Sequence, residues 1–593
     1  MLTQGWGNKR MDNRMHFGLI LLAIAVFASR ADAQNFERYR PLQPADVQPE
    51  LPDLPEPGEL PEEVLDDRVL LESLEAIRIV DHADKILTDA SIDDMEGIQY
   101  DVDRQGLMFE PAVSSILERN LGQQVTLRSI NQLSREIIEA YRQCKLPIVD
   151  VVIPEQRITT GTLHLVIIES RIGDIKVRPG CYFDCDSVNR WIECTRRGER
   201  IYEPNIENDL FWFNQNPFRR VGVDFAKGAQ AGTTDVIFEV EDIRPLRGYV
   251  GIDDTGVETL NYGRFFTGFQ YGNFLGRGGT LGYQYTGDEQ FTRLNAHSLS
   301  LIQPLTRNHS AFVYGSWAGV APELGSGLTQ NGESYQFGAE LHRHLIRDRY
   351  RQRDIIAGIE FKSTNNALEF AQTVVSDSTA DLLQLRLGIR DSHRRGWDDF
   401  HSYNVDAYLG PGGGFTGDHS SAAFNTIRPG TSPDYFYSRA RLNSASVLYN
   451  CFAFHRRFLA QASSERLLFS ETLGIGGFDT LRGTDQRVFN GDHGWVANLE
   501  FGPTTYQLGC PERRKVLRLY GFLDFGNGYV DDPQPGEDPS TMAVSTGYGC
   551  RFQVSDRFIA RFDYGSSLRN NIDAATRVER AHFSLTWIPG KRL

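Results

Sequence analysis

The chain contains no run of 18 consecutive apolar residues, so nothing in it reads as a membrane-spanning helix. It also lacks a basic excess. The formal charge is −16, which excludes the electrostatic footprint of a nucleic-acid-binding protein. Enzyme signatures are missing as well: there is no Gly-x-Ser-x-Gly, no His-Glu-x-x-His and no phosphate loop. The glycine-rich "GRGGTLG" is followed by no helix whose N-terminus could hold a phosphate. The 13 histidines are scattered, and His342 and His344 of "LHRHL" share one strand face, where solvation is the expected state rather than metal binding. Cysteine is sparse, seven in 593 residues, without the paired Cys-x-x-Cys knuckles of a zinc site. Neither a cofactor nor a metal is expected.

What is present begins at the N-terminus. Lys9, Arg10 and Arg14 precede the apolar "FGLILLAIAVFA", which ends near the small-x-small site Ala31-Asp32-Ala33. Residues 1–33 therefore read as a secretory signal peptide, with Met11 or Met15 as alternative starts. An exported chain without a spanning helix is periplasmic, secreted or an outer-membrane β-barrel. Residues 34–69 are rich in proline and acid and read as a semi-extended linker. Residues 70–170 and 171–245 then follow one plan twice: strand, helix, helix, strand, strand. In "LRSINQLSREIIEAYRQ" the apolar Ile130, Leu133, Ile137, Ile138 and Tyr141 recur at helical spacing.

From residue 246 to the end the hydrophobic period is two. In "DLLQLRLGIR", Leu383, Leu385, Leu387 and Ile389 oppose Gln384, Arg386 and Arg390. In "RAHFSLTW", Ala581, Phe583, Leu585 and Trp587 oppose Arg580, His582, Ser584 and Thr586. About sixteen such segments, with arginine recurring on the polar face, predict a transmembrane β-barrel of 16 antiparallel strands with a wet lumen. Long connections should follow odd strands and lie outside the cell; short turns, such as "NC" and "SD", should lie in the periplasm.

Four fragments carry a family resemblance. "YRQCKLPIVDVVIPEQRITTGTLHLVIIESRI" resembles the first POTRA module of two-partner secretion transporters, the hemolysin-activator family typified by ShlB, FhaC and HecB. "FWFNQNPFRRVGVDFAKGAQAGTTDVIFEVED" resembles the end of the second module. "GGFDTLRGTD" resembles the signature of the family's sixth external loop, and "FLDFGNG" its Phe-x-Asp-x-Gly strand. The resemblance spans about residues 75–593. It implies two small α+β POTRA modules in the periplasm ahead of an outer-membrane barrel at 246–593. It also implies export of a secreted partner protein, β-helical and hemagglutinin- or hemolysin-like, by a monomer embedded in outer-membrane lipid. An outer-membrane barrel-assembly factor, which usually has more modules, and a porin-like channel, which commonly trimerises, are the alternatives. Thr484 stands where the family has an aromatic, Cys144 and Leu146 disturb a Gly-Tyr pair, and Ser170 replaces a glycine. Residues 35–64 are too proline-rich to form much of the family's N-terminal plug helix.

The resemblance implies that the sixth loop folds back into the lumen and that its arginine, Arg482, contacts Asp524. Strand parity agrees on one point: Arg518, Tyr520, Phe522 and Asp524 of "KVLRLYGFLDFGN" share the inward face. The expected gating set is Gly476, Gly477, Leu481, Arg482 and Gly483 in the loop, with Phe522, Asp524 and Gly526 on the strand. Topology further places Cys451 and Cys510 at the periplasmic rim, where a disulfide between them and two free thiols are the alternatives. Cys550 has lipid-facing parity and is expected to be a free thiol.

Overall fold

The computed structural model describes residues 40–41, 54–55, 60–62, 64–82, 85–86, 95–102, 111–156, 161–242, 244–323, 328–348, 350–370, 373–509, 515–555, 557–570 and 579–589. The expected signal peptide lies outside the described residues. The chain forms two compact units, 49–244 and a larger one built from 245–593 with the N-terminal residues to 48.

The smaller unit contains two modules of the same design. In the first, Ala76–Val80 pairs parallel with Thr162–Glu169, which pairs antiparallel with Val149–Val152. In the second, Arg171–Arg178 pairs parallel with Thr233–Asp242, which pairs antiparallel with Arg219–Lys227. Two helices precede the last two strands of each module. The helix Leu127–Gln143 begins at a reciprocal cap: Thr126 Oγ1 accepts from the Ser129 amide (3.0 Å), and Ser129 Oγ accepts from the Thr126 amide (2.9 Å). Its Ile130, Leu133, Ile137, Ile138 and Tyr141 are buried on the sheet face of Ile77, Ile79, Leu163, Leu165 and Ile167. In the second module Phe213, Phe218, Val236 and Phe238 fill the core. The end of the proline-rich segment is not a free spacer. Leu60 packs on the first core, Arg135 donates to the Pro61 carbonyl (3.2 Å), and Val69–Leu71 pairs with Val125–Thr126.

One buried titratable group in the first module sets a pH dependence. Gln156 Oε1 accepts from the His164 amide (2.7 Å) and from its Nδ1 (3.2 Å), so the proton resides on Nδ1; Nε2 is buried without a hydrogen-bond partner among the described residues. Burial first, and the nearby Arg78 charge second, hold the imidazole below its ordinary value of 6.5. The folded histidine is therefore neutral where the unfolded one takes a proton. Its contribution is present above the unfolded value and is lost as pH falls from there through the lower folded one. Urea unfolding of residues 49–244 should show a falling midpoint as pH drops from about 7.5 to about 5.5. His164→Gln should reduce the slope, and an unchanged slope would contradict the assignment.

The larger unit is a closed antiparallel barrel. Its strands are β1 (Leu246–Asp253), β2 (Arg264–Phe274), β3 (Gly279–Asp288), β4 (Leu294–Thr306), β5 (His309–Val320) and β6 (Leu328–Arg347). They continue with β7 (Arg351–Phe370), β8 (Thr373–Arg394), β9 (Phe400–Pro411), β10 (Asp434–Leu448) and β11 (Phe452–Ser463). The last are β12 (His493–Pro503), β13 (Lys515–Tyr529), β14 (Ser540–Val554), β15 (Phe558–Asn570) and β16 (Glu579–Trp587). β1 closes onto β16, with Gly251 opposite Thr586. Closure gives every strand two neighbours, which a membrane demands because lipid cannot satisfy an open edge. The pleat sorts side chains as the alternation requires. Leu385, Leu387, Phe583, Leu585 and Trp587 are exposed on the outside, while Gln384, Arg580 and His582 are buried.

Two details differ from the expected strand map. The alternation of apolar and polar residues marks strands over 334–345, 352–365 and 380–393, and β6, β7 and β8 run beyond them. After β12 the chain makes a short extra strand, Tyr506–Leu508, which folds along the start of β13. The Cys451 carbonyl accepts from the Thr504 amide (3.0 Å), so its turn abuts the end of β12. The Cys451 and Cys550 thiols are free among the described residues; Cys510 lies outside them.

Candidate functional site

The segment between β11 and β12, residues 464–492, enters the lumen as a small hairpin in which Leu473–Ile475 pairs with Phe489–Gly491. Apolar contacts seat it. Leu473, Ile475, Leu481 and Phe489 pack with Val496 of β12 and Ala543 of β14. β13 is cut away to receive it: a Cβ on Gly526 would lie 2.8 Å from Ile475, and one on Gly528 would lie 2.7 Å from Phe489.

The tip turns sharply at Gly476 and Gly477, with φ of +115° and +91°. Thr480 Oγ1 accepts from the Gly476 amide (2.9 Å) and donates to its carbonyl (2.8 Å). Thr484, standing where the family has an aromatic, is buried and donates to the Leu481 carbonyl (2.8 Å), closing the turn from inside.

This turn presents Arg482, whose side chain is 0% exposed. Its Nε donates to Asp524 Oδ2 (2.8 Å) and its Nη2 to Asp524 Oδ1 (2.7 Å), a bidentate pair; its backbone amide adds a third bond to Oδ2 (3.1 Å). Nη1 donates to Glu500 Oε1 of β12 (2.8 Å) and to Asp563 Oδ1 of β15 (3.0 Å). The guanidinium plane rests over Phe522, with Cζ 3.7 Å from the ring centroid. Charges alternate outward from there. Glu500 also pairs with Arg518 and Arg551, Asp563 accepts from Arg561 (2.6 Å) and from the Tyr520 hydroxyl (2.8 Å), and Arg561 reaches Asp479 in the loop (2.8 Å).

The structure thus brings Arg482 together with Asp524 and Phe522, and sets Leu481 and Gly526 in the apolar seat beside them. Sequence reasoning missed Glu500, Asp563 and Gly565. A signal for two of them existed: "FDYG" at 562–565 repeats the pattern of "LDFG" at 523–526. Each Asp-x-Gly puts an acid and a glycine on the same inward face. The acids take the guanidinium, and the glycines admit the loop.

Gly565 and Gly483 meet backbone to backbone. A Cβ on Gly565 would lie 2.7 Å from the Gly483 amide nitrogen, and one on Gly483 would lie 2.8 Å from the Gly565 carbonyl carbon. Gly483 also has φ of +93°. Gly565→Ala, which adds one methyl group and removes no charge, should lift the loop tip off β15. The expected result is faster proteolysis within 476–486, with the barrel still folded; unchanged protection would contradict this docking.

Two lumen histidines are paired. His344 bonds Asp354 (2.6 Å) and His342 bonds Glu340 (2.8 Å), so "LHRHL" is committed to carboxylates. No cluster able to hold a metal occurs among the described residues.

Comparison with known proteins gives a consistent picture. Residues 232–552 match the model of the haemolysin secretion/activation protein family ShlB/FhaC/HecB, and residues 99–170 match that of the ShlB-type POTRA domain. The chain is 22% identical over 479 residues to the heme/hemopexin transporter protein HuxB of Haemophilus influenzae strain 86-028NP, covering 78% of this chain and 82% of that one. Among solved structures it is similar to CdiB from Escherichia coli, with a TM-score of 0.60 at 15% identity over 98% of this chain and 100% of that one. It is also similar to BamA from Haemophilus ducreyi lacking POTRA domains 1–3, with a TM-score of 0.54 at 12% identity over 82% and 98%.

Proposed function

From the premise that this chain belongs to the haemolysin secretion/activation protein family ShlB/FhaC/HecB, we propose that the docked sixth loop is the gate of its conduit and that Arg482 is the gate's latch. The protein is an outer-membrane translocator that exports a partner protein, with its POTRA modules in the periplasm. The finer reading concerns how it does so.

One observation carries it. A loop lies inside a barrel meant to conduct, and it is held by a buried cation shared among three carboxylates from three different strands. Such a cluster is a poor device for bulk stability, because desolvating its charges offsets much of their attraction. It is a good device for fixing one position of a movable segment. The partner would arrive unfolded, pair with an exposed module edge such as Arg219–Lys227, and thread the lumen as the loop yields. The partner is taken to be β-helical, so that folding outside supplies the drive, and a monomer in outer-membrane lipid suffices.

Co-expression with any secreted protein found encoded beside this chain tests the reading. Export of that protein should require this chain, while assembly of other outer-membrane barrels should not. Loss of general barrel assembly on depletion would favour the assembly-factor alternative instead.

A further inference from the structure

We infer that the sixth loop has a second latch, Glu471 on Lys362, which ties its stem to the opposite wall and makes the loop a brace across the lumen. The inference rests on the gate reading above but uses residues outside the signature motifs. Glu471 lies on the stem just before the Leu473–Ile475 strand. Lys362 is on β7, while Asp563, which takes the loop's tip arginine, is on β15. These two strands stand eight apart in a sixteen-strand wall. The loop is therefore charge-paired to two opposite sides.

The second site is built as closely as the first. Lys362 Nζ lies 2.8 Å from Glu471 Oε1 and 3.0 Å from Glu360 Oε2, and the side chains of the Lys362–Glu471 pair are 7% and 2% exposed. The other oxygen of Glu471 accepts from the Tyr437 hydroxyl (2.7 Å) and from Gln384 Nε2 (3.3 Å). The Glu471 carbonyl accepts from Gln461 (3.0 Å) and Arg439 (3.2 Å). These three donors to the carboxylate, Lys362, Tyr437 and Gln384, all belong to the barrel wall. A side chain of the moving part, buried and fully served by the fixed part, is a docking contact rather than an internal strut of the loop.

The charge arithmetic sets the direction of the effect. Lys362 is the cation between two acids, Glu471 on the loop and Glu360 on its own strand. Without it the two carboxylates face each other across a desolvated gap, and repulsion pushes the stem off the wall. Lys362→Met keeps the length of the side chain and removes the charge. Glu471→Gln keeps the shape of the loop residue and weakens the pair from the other side. Exchanging the charges, Lys362→Glu with Glu471→Lys, in a Glu360→Gln background restores an opposite-charge pair between loop and wall without setting two acids side by side.

The test is single-channel recording of the full chain in planar lipid bilayers, after heat-modifiable migration in gels has shown that each variant is a folded barrel. Both single variants should open several-fold more often than the parent, and the exchanged pair should return towards parental quiet. Quiet single variants would overturn the latch. So would an exchanged pair as active as the singles, since the two residues would then act separately. If Lys362→Met does not fold, Glu471→Gln decides alone, because it alters the loop and not the wall. Secretion of the partner is scored separately. Raised conductance with unaffected secretion would leave the second latch standing and count against the gate reading.

Discussion

Arg482→Ala is expected to lose most secretion while still yielding a folded barrel. Removing the guanidinium strands Asp524, Glu500 and Asp563 together in a buried site. Breaking a buried pair from one side typically costs about 3–5 kcal/mol, and here the cost falls on the docked state of the loop rather than on the strand ladder. Asp524→Ala should be milder. It leaves Arg482 with Glu500 and Asp563, though without its bidentate partner and its backbone anchor. The double variant should be no worse than Arg482→Ala alone, because residues in one network are not additive. Arg482→Lys should rescue only in part, since an ammonium cannot reproduce the planar fork that serves three acids at once. Secretion of the partner into the medium, normalised to folded barrel, is the measurement. Fully additive single and double defects would mean that the pair does not act as a unit.

Deleting residues 49–244 is expected to leave a barrel that folds and inserts but exports nothing. The barrel's ladder closes on itself from Leu246 to Trp587, and the cores of the two modules are internal to the smaller unit. Folding of the barrel therefore does not draw on the deleted segment. What is lost is the surface on which an unfolded client is received. Resistance of the barrel to heat in detergent, beside secretion, checks both halves. Normal export by the truncated chain would place recognition in the barrel and overturn this division of labour.

The barrel was legible because the membrane imposes its pattern locally. A strand with lipid on one side and a wet lumen on the other must alternate, and "DLLQLRLGIR" does so without ambiguity. Where β6, β7 and β8 extend past the expected ends, "LTQNGES" and "TVVSDST" carry polar residues of both parities. No apolar face marks such strands, and only hydrogen bonding to neighbours reveals them. The docking of Val69–Leu71 and Leu60 onto the first module was hidden for a related reason, because a proline-rich composition conceals a few well-placed apolar anchors.

The candidate site divides in the same way. Arg482 and Asp524 could be connected through the family resemblance, and parity alone turned Asp524 inward. Glu500 and Asp563 have the same parity on their strands, but nothing in the linear order says that one arginine reaches all three. Lys362 and Glu471 are 109 positions apart and belong to no motif. Their meeting is a product of barrel closure, which brings distant segments to opposite sides of one lumen.

A partner that passes through the lumen of this barrel must meet its inward-facing side chains and not its lipid-facing ones. Site-specific photo-crosslinking during export tests this passage most directly, with a photoreactive residue placed in turn at Arg386 and at its neighbour Leu387. Arg386 faces the lumen, bonded to Asp406 (2.8 Å), whereas Leu387 is 61% exposed on the lipid side. The translocating partner should be captured at position 386 and not at position 387. Capture at 387 alone, or at neither position while export proceeds, would contradict passage through the lumen.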